Sequence, residues 1–143
     1  LLHLRLDHTA EANSSERAAR ILKEDLQKHD PRNSLLYVRA EENGRLLDDT
    51  VFLFDKPKNL LLPHPNITCK LERISNGYQL EVQADVFVKN VCLRSQVDGF
   101  FSDNYFNLVP GQKKKLIFIT EDLLTDANLE IMSLANSQQC PPY

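Results

Sequence analysis

Apolar and polar residues alternate with a period of two through most of the second half of the chain. Residues 67–72 and residues 78–84 both show this alternation, which is typical of half-buried strands. The dipeptide Asn76-Gly77 lies between them and predicts a two-residue type I′ turn, because both residues accept positive φ values. Together these runs predict a β-hairpin.

Further strand-like stretches follow this hairpin. The apolar register changes phase near Lys89-Asn90, so a strand over residues 85–95 is predicted to contain a bulge. The remaining predicted strands are residues 101–109, 115–120 and 129–134, with a turn at Pro110-Gly111. Short strands without βαβ alternation are typical of an all-β, immunoglobulin-like β-sandwich.

The first third of the chain mixes strand-like and helical spacing. Residues 1–7 alternate like a strand, and since they open the chain without Met we expect it to begin inside a longer protein. Apolar residues over 13–30 recur at helical spacing, and Asn13 with Glu16 resembles a capping box. A short helix ending before Pro31 is therefore predicted.

A second hairpin is predicted after this helix. Its arms are residues 34–40 and 50–54, joined through a turn at 42–44. The second arm has apolar residues on both faces, so we expect both faces to be at least partly covered.

Three prolines within residues 56–65 exclude regular strand pairing and favour an extended connector. This connector is the predicted domain boundary. We therefore divide the chain into residues 1–57, residues 58–137 and a tail of residues 138–143.

Composition and charge narrow the choice of partners. The hydrophobic fraction of 42% and the charged fraction of 26% are those of a globular domain, and no apolar run is long enough to span a membrane. A net charge of −3 supplies no broad positive field for phosphates. We expect neither nucleic acid nor membrane as a partner.

Residues that could perform chemistry form no recognisable constellation. The acidic pairs fall at predicted turns, no GxSxG motif is present, and the histidines, His3 and His8 among them, lack metal-ligand spacing. Cys69, Cys92 and Cys140 form no CxxC motif, and the first two are predicted to be core residues. We expect no catalytic residue, no cofactor and no metal in this chain.

Two tripeptides, Asn13-Ser14-Ser15 and Asn66-Ile67-Thr68, fit the N-glycosylation pattern. Asn13 and Asn66 would be glycan acceptors only in a eukaryotic protein on a secretory route. The alternative is that both asparagines are ordinary turn and cap residues.

Four aromatic residues surround an Asp-Asn pair in the segment 100–106. Aromatic rings could stack on sugars while the polar pair binds hydroxyl groups. Alternatively, the rings fill the core or an interdomain face and the polar pair bonds to backbone groups at a bend. The candidate sugar or interdomain contacts are Phe101, Asp103, Asn104, Tyr105 and Phe106.

Residues 99–111, GFFSDNYFNLVPG, resemble the last domain of β-mannosidase-like enzymes of glycoside hydrolase family two. The connector, Asn90-Val91-Cys92-Leu93 and the closing run 129–134 are similar to the same family, and residues 33–54 resemble the end of its preceding sandwich domain. The resemblance implies that residues 1–57 are part of a penultimate β-sandwich domain. It places the catalytic glutamates on a TIM barrel upstream and none of them here.

The leading hypothesis is therefore a noncatalytic module of a β-mannosidase-type hydrolase, with the remaining domains of that enzyme as its partners. Two alternatives stay open: an independent carbohydrate-binding module, and an immunoglobulin-like module that binds protein. The resemblance is compatible with a bacterial periplasmic or extracellular location and with an animal lysosome.

Overall fold

The structure is a computed structural model that describes residues 5–9 and 11–137. The predictions on His3 and on the tail 138–143, which includes Cys140, lie outside the described residues. The strand predicted for residues 1–7 is wrong for its described end, because residues 5–7 have no regular structure and pair with no described strand.

The helix predicted over residues 13–30 is confirmed only as a single short turn, α1 (Lys23–Leu26). Asn13 has a φ of 61°, which is incompatible with the predicted capping box. Ile21 and Leu22 are 37% and 48% exposed, and of the apolar stripe only Leu26 is half-buried, so little of the stripe packs against the described chain. Helical segments of this length need such packing to be stable, which explains the short helix.

The first hairpin comprises β1 (Leu35–Glu42) and β2 (Arg45–Leu53), which pair antiparallel. Its turn residues Asn43 and Gly44 have φ values of 51° and 78°, as a type I′ turn requires. The second strand begins five residues before the predicted arm, because two aspartates obscure its early alternation. Both faces of the second arm are partly covered, since Val51, Leu53 and Phe54 are half-buried, but Phe52 is 59% exposed.

Within the described residues after the connector, seven strands form two sheets of an immunoglobulin-like sandwich, which confirms the predicted fold class. The four-stranded sheet has the order β3-β4-β8-β6, and the three-stranded sheet has the order β7-β5-β9. A last turn of helix, α2 (Leu134–Ser137), follows. The strands are β3 (Ile67–Ile74), β4 (Gly77–Ala84), β5 (Val88–Ser95), β6 (Phe100–Phe101), β7 (Phe106–Leu108), β8 (Lys113–Ile119) and β9 (Leu129–Met132).

The core lies between these two sheets. Alternate residues of β4 and β8, such as Leu80, Val82 and Phe118, meet Val91 and Leu93 of β5, and all five are at most 2% exposed. Each such side chain contributes roughly 1.5–3 kcal/mol through its removal from water. None of the helices in the described ranges has the length and apolar character needed to cross a membrane.

The turn between β3 and β4 differs from its prediction. The two loop residues are Ser75 and Asn76, since Ile74 pairs with Gly77. Gly77 opens β4 with a φ of 147°, and a Cβ atom there would lie 2.0 Å from the carbonyl oxygen of Phe118. Close approach of β8, rather than a type I′ turn, is therefore what requires glycine at this position.

The predicted bulge in β5 is confirmed, because its register with β7 shifts between Val88 and Val91 and Asn90 has a φ of 54°. The turn at Pro110-Gly111 is also confirmed. The single strand predicted over residues 101–109 is wrong, since this segment supplies β6 to one sheet and β7 to the other.

Candidate functional site

The candidate site is the crossover of residues 102–105, where the chain passes from β6 to β7 and changes sheet. Ser102 fixes its start. The backbone N–H of Ser102 donates to the carbonyl of Ile117 at 2.7 Å, and its hydroxyl oxygen accepts from the N–H of Ile117 at 2.9 Å. The side chain of Ser102 thus continues the ladder with β8 after the strand has ended.

Asn104 fixes the middle of the crossover. Its Oδ1 accepts a hydrogen bond from the N–H of Leu93 at 2.8 Å, and its Nδ2 donates to the carbonyl of Leu93 at 2.9 Å. The amide therefore pairs with β5 as a neighbouring strand would. Tyr105 follows with a φ of 61°, and its N–H also donates to Asn104 Oδ1.

The other predicted contact residues pack within the sandwich. Asp103 forms an ion pair with Lys114, whose Nζ lies 2.5 Å from Asp103 Oδ2 and 5.4 Å from the centre of the Phe106 ring. Phe101 contacts Phe118 in the core, with ring centres 4.4 Å apart. These contacts are the ones expected of the structural alternative, and a sugar or interdomain role for the five residues stays a prediction.

Tyr105 is the member of the predicted set that faces solvent, with 68% of its surface exposed. A hydrogen bond with the Cys92 thiol raises the pKa of Tyr105, and the positive charge of Arg94 opposes this change. The phenol therefore stays neutral at physiological pH and retains a hydroxyl group for hydrogen bonding.

The prediction that two cysteines are buried core residues is confirmed for Cys92 and only in part for Cys69, which is half-buried. Cys92 is buried, and Cys69 packs against the core cluster. Burial raises the pKa of the Cys69 thiol to about 11. At neutral pH this thiol is protonated and cannot act as a nucleophile.

The carboxyl groups do not resemble a glycosidase centre, which needs two carboxyls, one of them an acid with a raised pKa. Hydrogen bonds from Arg32 and Asn59 lower the pKa values of Asp30 and Asp55, and one from Lys113 lowers that of Glu81. Within residues 5–9 and 11–137, every carboxyl pKa with a resolved shift is lowered. The acidic pairs at 41–42, 48–49 and 121–122 are exposed.

One cavity of about 230 Å³ lies between the hairpin and the sandwich. Its lining includes Arg32, Leu53, Leu60 and Phe87, and Asp85 supplies the sole carboxylate among its described lining residues. Asp85 Oδ1 accepts a hydrogen bond from the N–H of Asn66 at 2.9 Å. A single carboxylate held by the backbone does not provide the pair that glycoside hydrolysis uses.

The possible metal ligands and glycan acceptors of the described residues were the remaining candidates. In the part of the chain that the structure describes, no three His, Cys, Asp or Glu side chains cluster as metal ligands. Nε2 of His8 lies 3.6 Å from a Glu16 carboxylate oxygen, and His64 is exposed. Asn13 and Asn66 are both exposed, and their glycosylation stays a prediction.

The predicted set of contact residues omitted Phe100, which is 75% exposed on the outward face of β6. Ile117 and Ile119 are exposed on the same face of the neighbouring strand β8. The available signal was the apolar run 116–119, which places hydrophobic residues on both faces of one strand.

The fold and the crossover define an immunoglobulin-like sandwich domain whose aromatic segment joins its two sheets. Residues 62–137 match the family model for the mannosidase Ig-fold domain, and residues 5–59 match that for the mannosidase Ig/CBM-like domain. The chain therefore belongs to the family of mannosidase Ig-fold domains. The resemblance to β-mannosidase-like enzymes is confirmed.

Two curated relatives and one solved structure agree with this family assignment. Beta-mannosidase A of Aspergillus terreus is 28% identical over 69% of this chain and 12% of its own length, and that of Emericella nidulans is 29% identical over 76% and 13%. The crystal structure of beta-D-mannosidase from Dictyoglomus thermophilum superposes with a TM-score of 0.66 at 21% identity, over 76% of this chain and 14% of that one. The chain thus spans about one eighth of the curated relatives.

Proposed function

We propose that this chain is a noncatalytic module of a β-mannosidase-type glycoside hydrolase. Its parent would cleave terminal β-linked mannose, with retention of configuration, in a TIM-barrel domain outside the present sequence. The observation that supports this most is the match of residues 62–137 to the mannosidase Ig-fold family model.

In this role the partners of the chain are the remaining domains of the parent enzyme. We also propose that the module boundary lies in the connector, between residues 1–57 and 58–137. In support, the 3-10 turn Pro57–Asn59 is the sole regular element that the structure describes between the end of β2 and the start of β3.

Turnover of an aryl β-mannoside tests the proposal. The 143-residue chain, freed of contaminating glycosidase, is expected to release no aryl group at neutral or mildly acidic pH. The complete polypeptide that its gene encodes is expected to release it. Turnover by the isolated chain, or none by a complete polypeptide that is correctly folded, would overturn the proposal.

A carbohydrate-binding module is the second candidate, and the exposed ring of Tyr105 favours it. Titration with manno-oligosaccharides should then give saturable heat that Tyr105→Ala abolishes. Phe52→Ala is the matched control, because Phe52 is an exposed aromatic residue on the separate hairpin. Equal binding by both variants would exclude Tyr105 as the platform.

A further inference from the structure

Three exposed apolar side chains form a patch on the outward face of the four-stranded sheet. Phe100, Ile119 and Ile117, here called the Phe100 patch, are 75%, 45% and 39% exposed. Phe100 lies directly opposite Ile119 in the β6–β8 register, and Ile117 is two residues along the same strand. The three side chains therefore adjoin one another on one face.

The patch belongs to a rigid part of the fold. The neighbouring pair Phe101 and Phe118 points inward and packs ring against ring. The Thr120 hydroxyl donates to the carbonyl of Asp98 at 2.6 Å, which ties the end of β8 to the start of β6. The patch is consequently in place before any partner arrives, so that little ordering cost is added on binding.

Although the patch is exposed in this chain, β8 has the sequence of a strand whose two faces are both covered. A strand with one solvated face alternates apolar and polar residues, whereas a strand covered on both faces is apolar throughout. Leu116 and Phe118 are 3% and 1% exposed in the core, and the residues between and after them are isoleucines rather than polar residues.

The surroundings of the patch favour a protein surface over a sugar. Isoleucine side chains offer sugar hydroxyls no hydrogen bond, although sugar sites depend on such bonds. Gln79 lies opposite Ile117 at the edge of the patch. Further along the same face, Glu81 binds Lys113 at 2.7 Å and Lys115 at 3.8 Å. An apolar centre with a polar rim is the usual arrangement of a protein interface.

Size decides between a separate partner and a tethered one. Three side chains expose far less than the ~800 Å² that each partner buries in a stable free-standing complex. A domain of the same polypeptide acts at a high effective concentration, so a small apolar contact is enough to hold it. The curated relatives are about eight times as long as the matched segment, which leaves ample chain to provide such a domain.

We infer that the Phe100 patch docks on an apolar surface of another domain of the polypeptide that contains this module. The inference rests on the proposed function, since it requires a larger parent enzyme. It adds to that proposal the face of the sandwich and the residues that make the contact.

Hydroxyl-radical footprinting of the 143-residue chain and of the complete polypeptide tests the inference. Oxidation of Phe100 is expected to be at least fivefold slower in the complete polypeptide, with Ile117 and Ile119 also protected. Leu123, which is 70% exposed in the loop after β8, is the internal control. Equal oxidation of Phe100 in both proteins would overturn the inference.

Substitutions provide the second arm. Phe100→Ser with Ile119→Ser is expected to lower the melting temperature of the complete polypeptide by several degrees more than that of the 143-residue chain, which loses only the cross-strand pair. Leu123→Ser should lower neither. A fall in the complete polypeptide no greater than that in the 143-residue chain would contradict the inference.

Other occupants give distinct results. If manno-oligosaccharide protects Phe100 in the 143-residue chain, the patch binds a sugar. If a higher concentration of that chain protects Phe100, the patch binds a second copy. Either result overturns the inference. A complete polypeptide without mannosidase turnover defeats the proposed function, whereas turnover with an accessible Phe100 defeats the inference alone.

Discussion

Asn104 shows how one side chain replaces a missing stretch of strand. The bulge at Asn90 and the late start of β7 leave the backbone of Leu93 without a strand neighbour on that side. The carboxamide of Asn104 has one donor and one acceptor in the spacing that this backbone presents, and it bonds to both groups. The aromatic residues around it can then face in different directions without leaving β5 unpaired.

Asn104→Ala should therefore destabilise the sandwich by about 1–3 kcal/mol, because it leaves a buried N–H and a buried carbonyl of Leu93 unsatisfied. Urea unfolding measures the loss. Asn107→Ala is the matched control: its side chain accepts one bond, from Asn90 at 3.2 Å, and is exposed. An equal effect of the two substitutions would contradict the bridging role of Asn104.

Gly77→Ala should cost at least about 2 kcal/mol, because the added methyl group would overlap the backbone of β8 at Phe118. Gly111→Ala, in the turn before β8 of the same sandwich, separates this overlap from backbone strain. Gly111 has a φ of 79°, and no atom lies within 4 Å of the place that an alanine methyl group would take, so its substitution should cost about 1 kcal/mol. Thermal unfolding of both variants compares the two costs, and similar losses would argue against close approach as the constraint.

At the scale of elements, regular alternation was sufficient to predict β3 and β4, and a continuous apolar run was sufficient to predict β8. It failed where a tertiary contact decides the outcome. The segment 101–109 alternates like one strand, yet Ser102 and Asn104 bond to different sheets and split it. The apolar spacing of residues 13–30 favours a helix, but only a packed surface would stabilise one. The Phe100 patch was missed because the apolar run 116–119 does not show that β6 pairs with β8, which places Phe100 opposite Ile119.

The first hairpin should become less stable in alkali because of Tyr37. Its hydroxyl donates to Asp49 Oδ2 at 2.7 Å, and burial together with this bond raises the pKa of Tyr37 from 10.0 to about 12. The folded state therefore holds the proton more tightly than the unfolded state. This contribution is complete below pH 10 and is lost as the pH rises towards 12.

Tyr37→Phe should remove that part of the alkaline dependence, at a cost limited to about 1 kcal/mol by the partial exposure of the site. Hydrogen exchange of the hairpin amides would measure the pH dependence of hairpin stability, with the sandwich amides as the reference. The range from about pH 8 to about pH 11 brackets the ordinary tyrosine pKa. A variant whose hairpin weakens in alkali as steeply as the parent chain would show that Tyr37 is not responsible.

At the scale of the whole molecule, stability is unevenly distributed. The buried core cluster extends from Tyr78 to Leu124, and β1 and β2 contribute no buried residue to it. An isolated two-stranded sheet is marginally stable in water. The hairpin is therefore expected to open far more often than the sandwich.

Native-state hydrogen exchange should show this difference directly. Hydrogen-bonded amides of β1 and β2 should exchange at least about a hundredfold faster than those of β4 and β8, whose exchange requires global unfolding. Mass spectrometry of peptides from the two regions measures both rates. Equal protection would mean that the two regions unfold as one cooperative unit.

The lengths of the edge strands have a consequence for crowded solutions. Among the described strands, the sandwich edges are β3, β6, β7 and β9, and the last three contain two, three and four residues. Such short edges have too few unpaired amides and carbonyls for a strand of another molecule to pair with. The longer edge β3 carries the charged residues Lys70, Glu72 and Arg73, which also oppose such pairing. The sandwich should resist growing into fibrils, even where many copies are concentrated together.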